Sequence, residues 1–190
     1  MITVIWILAA LGAAAVLLLV LQAAARAYLA WRGTRVVTCP ETGTTAAVEV
    51  DARHAAVTAA LGDADLRLRD CSRWPGRHDC GQECLQQIEA APADCLARTM
   101  LTRWYEGKSC AFCRKPFTEI QWLEHKPALI SPKRRTLGWH EVRADRIPEV
   151  LSTHLPVCWN CHVIATLRRE HPELVVERPQ RAQGWSRREG

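Results

Sequence analysis

The amino-acid sequence predicts one N-terminal transmembrane helix followed by a small α+β domain, built of short β-hairpins and short helices and stapled by metal. Three observations carry that prediction: an uncharged apolar run at the start, β-type segments split by turn residues, and nine cysteines that all follow the run. Of the 190 residues 48% are hydrophobic and 24% charged, with 25 Lys+Arg against 20 Asp+Glu for a net charge of +5. That balance excludes an intrinsically disordered chain, a collagen and a polytopic membrane protein. Residues 1–25 are apolar except for Thr3, Gly12 and Gln22. Beyond them lie about 165 residues, the size of one modest domain or two small ones.

Ile2 to Ala25 carries no charge, and such a run at about 1.5 Å per residue can cross a hydrocarbon core of roughly 30 Å. Trp6 at one end and Tyr28 and Trp31 at the other suit the two interfacial belts. A cleaved signal peptide needs a positive n-region, and no Lys or Arg precedes Arg26. Residues 1–32 are therefore read as anchor and interface. Arg26, Arg32 and Arg35 follow the run with nothing basic before it, which places the C-terminal side in the cytoplasm of an inner membrane, N-out and C-in, with arginines at the headgroups. Cytoplasmic thiols stay reduced, so the cysteines read as metal ligands rather than disulfides.

After the anchor, residues 36–91 form a first cysteine-rich module. Val36–Thr38 and Ala46–Val50 have β composition, with a hairpin turn at Cys39–Gly43, and Ala64–Asp70 alternates as a half-buried strand does. Arg53–Leu61 is ambiguous between helix and strand, and Cys80–Glu89 reads as a short helix. Residues 92–107 form a connecting helix that Pro92 opens and Gly107 ends, with Leu96, Met100 and Trp104 as its core stripe. Residues 108–177 form a second module, with strands at Phe117–Leu123 and Thr136–Val142 and short helices at Pro148–His154 and Cys161–Glu170. Residues 178–190 are a basic, mobile tail.

The strongest chemical signal is Cys110-Ala-Phe-Cys113 followed by Cys158-Trp-Asn-Cys161. Two residues between cysteines let both sulfurs of one tight turn face a single ion, and two such turns supply the four thiolates that tetrahedral Zn²⁺ prefers. Cys39, Cys71, Cys80 and Cys84 form a second, less regular set, able to hold Zn²⁺ or an Fe–S cluster. In it Cys80 and Cys84 are expected on one helix face, His78 is an alternative ligand beside Cys80, and isolated buried thiols are the competing reading. Cys95 is assigned to the core. His54, His125, His140, His154 and His171 are read as surface or satisfied core residues, Trp74, Trp104, Trp122, Trp139 and Trp159 as structural, and Lys133–Arg135 as a solvated face.

The phrase Cys110-Ala-Phe-Cys113-Arg-Lys-Pro-Phe117, with Cys161-His162-Val163-Ile164-Ala165 behind it, resembles the zinc knuckle of treble-clef and zinc-ribbon proteins. That resemblance implies a first cysteine pair in a β-turn and a second pair opening a helix. Cys158-Trp-Asn-Cys161-His162 also resembles the attachment motif of c-type cytochromes, which implies two thioether bonds to haem and His162 as an axial iron ligand. The stretches from Thr38 to Gly43, Cys71 to Pro75 and Leu155 to His162 are together similar to membrane-anchored cysteine-rich bacterial proteins, a resemblance that implies no activity.

The sequence holds no Gly-rich phosphate loop, no GxSxG and no HExxH, and four thiolates leave no open coordination position. The expectation is a non-enzymatic, membrane-tethered zinc module that docks on a membrane protein complex, with the lipid bilayer as its other partner. No nucleic acid and no small-molecule substrate are expected. Electron transfer through an Fe–S cluster or a c-type haem is the alternative.

Overall fold

The protein, described here by a computed structural model over residues 2–74, 76 and 79–174, begins with one unbroken helix. This helix, α1 (Ile2–Trp31), has 30 residues, none of them fully buried, and is long and apolar enough to cross a membrane. It outruns the uncharged segment, carrying Arg26 exposed on its surface. Of the three arginines assigned to the headgroups, Arg35 turns inward and is 1% exposed. Its guanidinium donates to the carbonyl oxygens of Ala30 (2.6 Å), Trp31 (2.7 Å) and Gly33 (3.3 Å) and lies 5.5 Å from the centre of the Trp31 ring. The last carbonyls of a helix have no intrahelical donor, so Arg35 clamps the end of α1 to the domain. Gly33, at φ +100°, lets the chain leave the helix there.

The first sheet is antiparallel in the order β1 (Thr34–Thr38), β2 (Thr45–Val50) and β3 (Leu68–Cys71). Thr38 pairs with Thr45 across the expected turn, and Val48 with Cys71. The sequence-ambiguous segment is helix α2 (Ala52–Leu61). Asp51 caps it by accepting from the His54 backbone N–H at 3.0 Å and pairs with Arg67 at 2.7 Å, which satisfies an otherwise orphaned donor of the first turn. The start of α2 lies beside Tyr28 and Arg32, and the helix packs back along α1. The half-buried residues of α1 (Val20, Ala23, Ala24, Ala27 and Trp31) recur every three or four positions and so form one stripe. Ala52 and Ala55 are buried on the α2 side.

Helix α3 (Leu85–Ala90) is shorter than expected. Gln82 takes φ +55° and its side chain accepts from the Leu68 N–H at 2.7 Å, so the helix starts only after Cys84 and Cys80 stays outside it. Helix α4 (Ala97–Tyr105) likewise begins five residues after Pro92, behind a series of turns from which Cys95 O accepts the Val36 N–H. Its fully buried side chains are Leu101 and Tyr105, while Met100 and Trp104 are half-buried beside them.

The second sheet has the order β5 (Thr136–Leu137), β4 (Ala128–Ile130), β6 (Leu155–Val157), all antiparallel. The strand expected at Phe117–Leu123 is irregular backbone, its aromatic residues being spent on side-chain packing instead. Thr136–Val142 is a strand for two residues and then a 3-10 turn at Trp139–Glu141. Strand β6 contains Pro156 and pairs with β4 alone, the edge position where proline is tolerated. Two further helices, α5 (Ile147–Thr153) and α6 (Trp159–Glu170), flank it. The expected tail at 178–190 lies outside the described residues.

Candidate metal centre

Cys110 follows a short bridge between Ser109 and Pro116. The Cys110 N–H donates to Lys115 O at 2.9 Å, and the Arg114 N–H donates back to Cys110 O at 3.0 Å. Arg114 takes φ +62° to close this turn. The second pair sits at the start of α6, where Cys158 is the N-cap residue and Cys161 lies within the first turn. Ala111 N–H donates to Pro156 O at 2.9 Å and Cys158 N–H to Cys110 Sγ at 3.3 Å, locking the turn against β6 and the helix start.

The result brings together all four sulfurs of Cys110, Cys113, Cys158 and Cys161, within 4.8 Å of one another. Cys113 Sγ and Cys158 Sγ are 3.7 Å apart, close to the edge of about 3.8 Å expected for a tetrahedron with metal–sulfur bonds of about 2.3 Å. Cys110 is buried and Cys113 exposed, with the other two between. All nine cysteines are free thiols.

Electrostatics separates the four. Burial pushes the Cys110 thiol up, but backbone N–H groups of Cys158, Cys113 and Phe112 outweigh it and bring it to about 7. Burial raises Cys158, and raises Cys161 further together with the neighbouring sulfurs. Ionisation at Cys110 is thus eased, while further negative charge in the cluster needs a cation to offset it. The positive end of α6 favours the same charge.

His162 lies beside Trp159, ring centres 6.3 Å apart. Its Nδ1 is buried without a hydrogen-bond partner among the described residues, and burial holds the imidazole below its usual range.

An aromatic group behind the centre was not legible as such. Tyr105 is 0% exposed, donates from its hydroxyl to Ala128 O at 2.7 Å and accepts from Trp139 Nε1 at 3.1 Å. Phe117, four residues beyond Cys113, packs 4.8 Å from it. The signal was present only as Trp-Tyr at positions 104–105, where the spacing of four drew attention to Trp104.

The second predicted set is gathered more loosely. Cys39, Cys71, Cys80 and Cys84 line one cavity of about 30 Å³, in which burial first and then the Cys71, Cys80 and Cys39 thiols push Cys84 up to about 11. Their sulfurs do not close to the mutual distance reached in the first set. Cys95 stays apart, its Sγ donating to Gln87 O at 3.6 Å, and His78 lies outside the described residues.

Comparison with known proteins finds no matching family model, no matching curated sequence and no matching solved structure.

Proposed function

We propose that this protein is a membrane-tethered docking module, an accessory subunit of a membrane complex without catalysis of its own, whose second half is held together by Zn²⁺ on Cys110, Cys113, Cys158 and Cys161. The observation that carries this reading is the convergence of four thiols from a tight turn and a helix start. A tight turn facing a helix start is the arrangement that the treble-clef and zinc-ribbon resemblance implies. Four thiolates fill a tetrahedral ion, so the metal contributes folding free energy rather than a reactive position. Cys158 and Cys161 face Cys110 and Cys113, and a haem on the former pair would leave the latter without a role.

Docking is supported by the apolar rim of the centre. Phe112, between the first two ligands, is 49% exposed, and Ile164 and Leu167 on α6 are 50% and 43% exposed. Trp159, between the second two, is 38% exposed. The tether is supported by the length and composition of α1, and the cytoplasmic placement by the exposed Arg26 and Arg32.

The test is metal analysis of the detergent-purified protein together with its visible spectrum. A colourless sample containing zinc is expected, and Cys113→Ser is expected to lose that zinc and unfold the second half. A brown iron- and sulfide-containing sample, or a red haem sample, replaces this reading with electron transfer. The unmodified protein in mild detergent extracts is expected to run in native electrophoresis above its own mass, in a complex, and Phe112→Ser combined with Trp159→Ser is expected to keep the zinc and run alone. With an impermeant chelator present, an impermeant maleimide is expected to label Cys113 only after the inner membrane is opened.

A further inference from the structure

The turn at Cys39 repeats the turn at Cys110. Cys39 N–H donates to Thr44 O at 2.8 Å, as Cys110 N–H does to Lys115 O. Gly43 N–H donates to Cys39 O at 2.8 Å, as Arg114 N–H does to Cys110 O. The residue that closes each turn is left-handed, Gly43 at φ +65° and Arg114 at φ +62°. A backbone arranged this way presents N–H groups to a thiolate. Thr42 stands where the other turn has Cys113, so this turn offers a single sulfur.

The missing sulfurs come from elsewhere. Cys71 ends β3 and is held opposite Val48, Cys84 caps α3, and Cys80 lies in the irregular chain before it. Cys71 and Cys84 are each 8% exposed, and all four thiols line the same cavity of about 30 Å³. Its walls are otherwise Val37, Ala46, Val48, Leu68, Trp74, Glu41 and Arg73. A space of that size admits one ion, since roughly 10–15 Å³ suffices for a water-sized sphere. Arg73 places a cation beside a group whose four thiolates with a divalent ion would carry net negative charge, and its Nε is buried without a hydrogen-bond partner among the described residues.

We infer that Cys39, Cys71, Cys80 and Cys84 form a second binding site for a single thiophilic divalent cation, of which zinc is the representative. Cys80 and Cys39 both sit in irregular backbone, so their sulfurs can close on the ion without breaking a helix or a strand. The site is separate from the Cys110 centre and stands whether or not that centre's proposed role does.

Zinc per chain in the full-length protein, purified in detergent without chelator, tests it. Two equivalents are expected, with one remaining in Cys84→Ser and one in Cys113→Ser. A single equivalent that Cys113→Ser abolishes overturns the second site and leaves the first intact. Iron with labile sulfide that Cys84→Ser removes overturns the single-ion assignment. If Cys84→Ser does not fold, alkylation of the unmodified protein decides: Cys39 and Cys80, which are only partly covered, are expected to resist iodoacetamide until a chelator is added. Their reaction before chelation overturns the proposal.

Discussion

Two single side chains hold more of this fold than their sequence context announces. Tyr105 supplies a buried donor to Ala128 O and a buried acceptor to Trp139. Tyr105→Phe preserves the packing but leaves both partners unsatisfied, which costs about 1–3 kcal/mol each in the buried limit. The urea midpoint is expected to fall clearly, and an unchanged midpoint would show the hydroxyl to be dispensable. Asp51 is the other. The His54 N–H, and then Arg67, hold its carboxyl below the usual carboxylate range. A depressed folded-state pKa gives stability that is present above the unfolded value of about 3.9 and disappears as pH falls through the lower folded value. Asp51→Ala is expected to cost about 1 kcal/mol at neutral pH, the usual worth of an N-cap. That penalty should shrink towards zero as unfolding is followed into acid below the carboxylate range, and a penalty that persists there would assign Asp51 a purely steric role.

Among the elements, those that the sequence made legible are those with strong local chemistry. The hairpin at Cys39–Gly43 was legible because Pro and Gly restrict the turn, and the start of the last helix because a Cys-x-x-Cys pair fixes it. The Cys110–Cys161 set was legible from spacing alone, and the structure brings its sulfurs together. Strand β6 was missed because Pro156 argues against a strand except at an edge, and being at an edge is not a local property. The irregular stretch at 117–123 was misread because Phe117 and Trp122 carry β propensity yet are claimed by the Tyr105 group. Cys80 was misplaced on a helix because nothing in its neighbours reveals that Gln82 would turn left-handed to reach Leu68.

The pairing of α2 with α1 was illegible for a different reason: the half-buried stripe of α1 is mostly alanine (Ala23, Ala24 and Ala27), which carries almost no amphipathic signal. Such a face works by close approach. Leucine at Ala24 or Ala27, both half-buried in the stripe, overfills it at a cost of about 1–3 kcal/mol. Faster trypsin cleavage at Arg53 is expected in Ala27→Leu. Ala25→Leu, on the exposed face, is the control, and equal rates in the two would deny the helix pair its packing role.

At the scale of the whole molecule, the small cores are joined through β1. Val37 belongs to the core of the first sheet with Val48, Cys71 and Ile88, whereas Val36 packs with Leu101 and Ile147. The Cys110 centre has its own small core, with only Ala128 and Val157 fully buried beside Cys110. A core that thin supplies little hydrophobic free energy, and metal binding that occurs only in the folded state adds its free energy to folding. Chelation should therefore act unevenly. The α1–α2 pair and the Arg35 clamp contain no cysteine and should survive it, keeping α1 helical. The turn at Cys110, β6 and the start of α6 should lose protection against amide hydrogen exchange, because the sulfurs that fix them together would repel or reprotonate. The aromatic group around Tyr105, one layer further out, should loosen later and over a higher range of urea. Uniform loss of protection along the chain on chelation would mean that the metal stabilises the domain as one cooperative unit. Unchanged protection around Cys110 and Cys158 would mean that their cluster needs no ion to hold its shape.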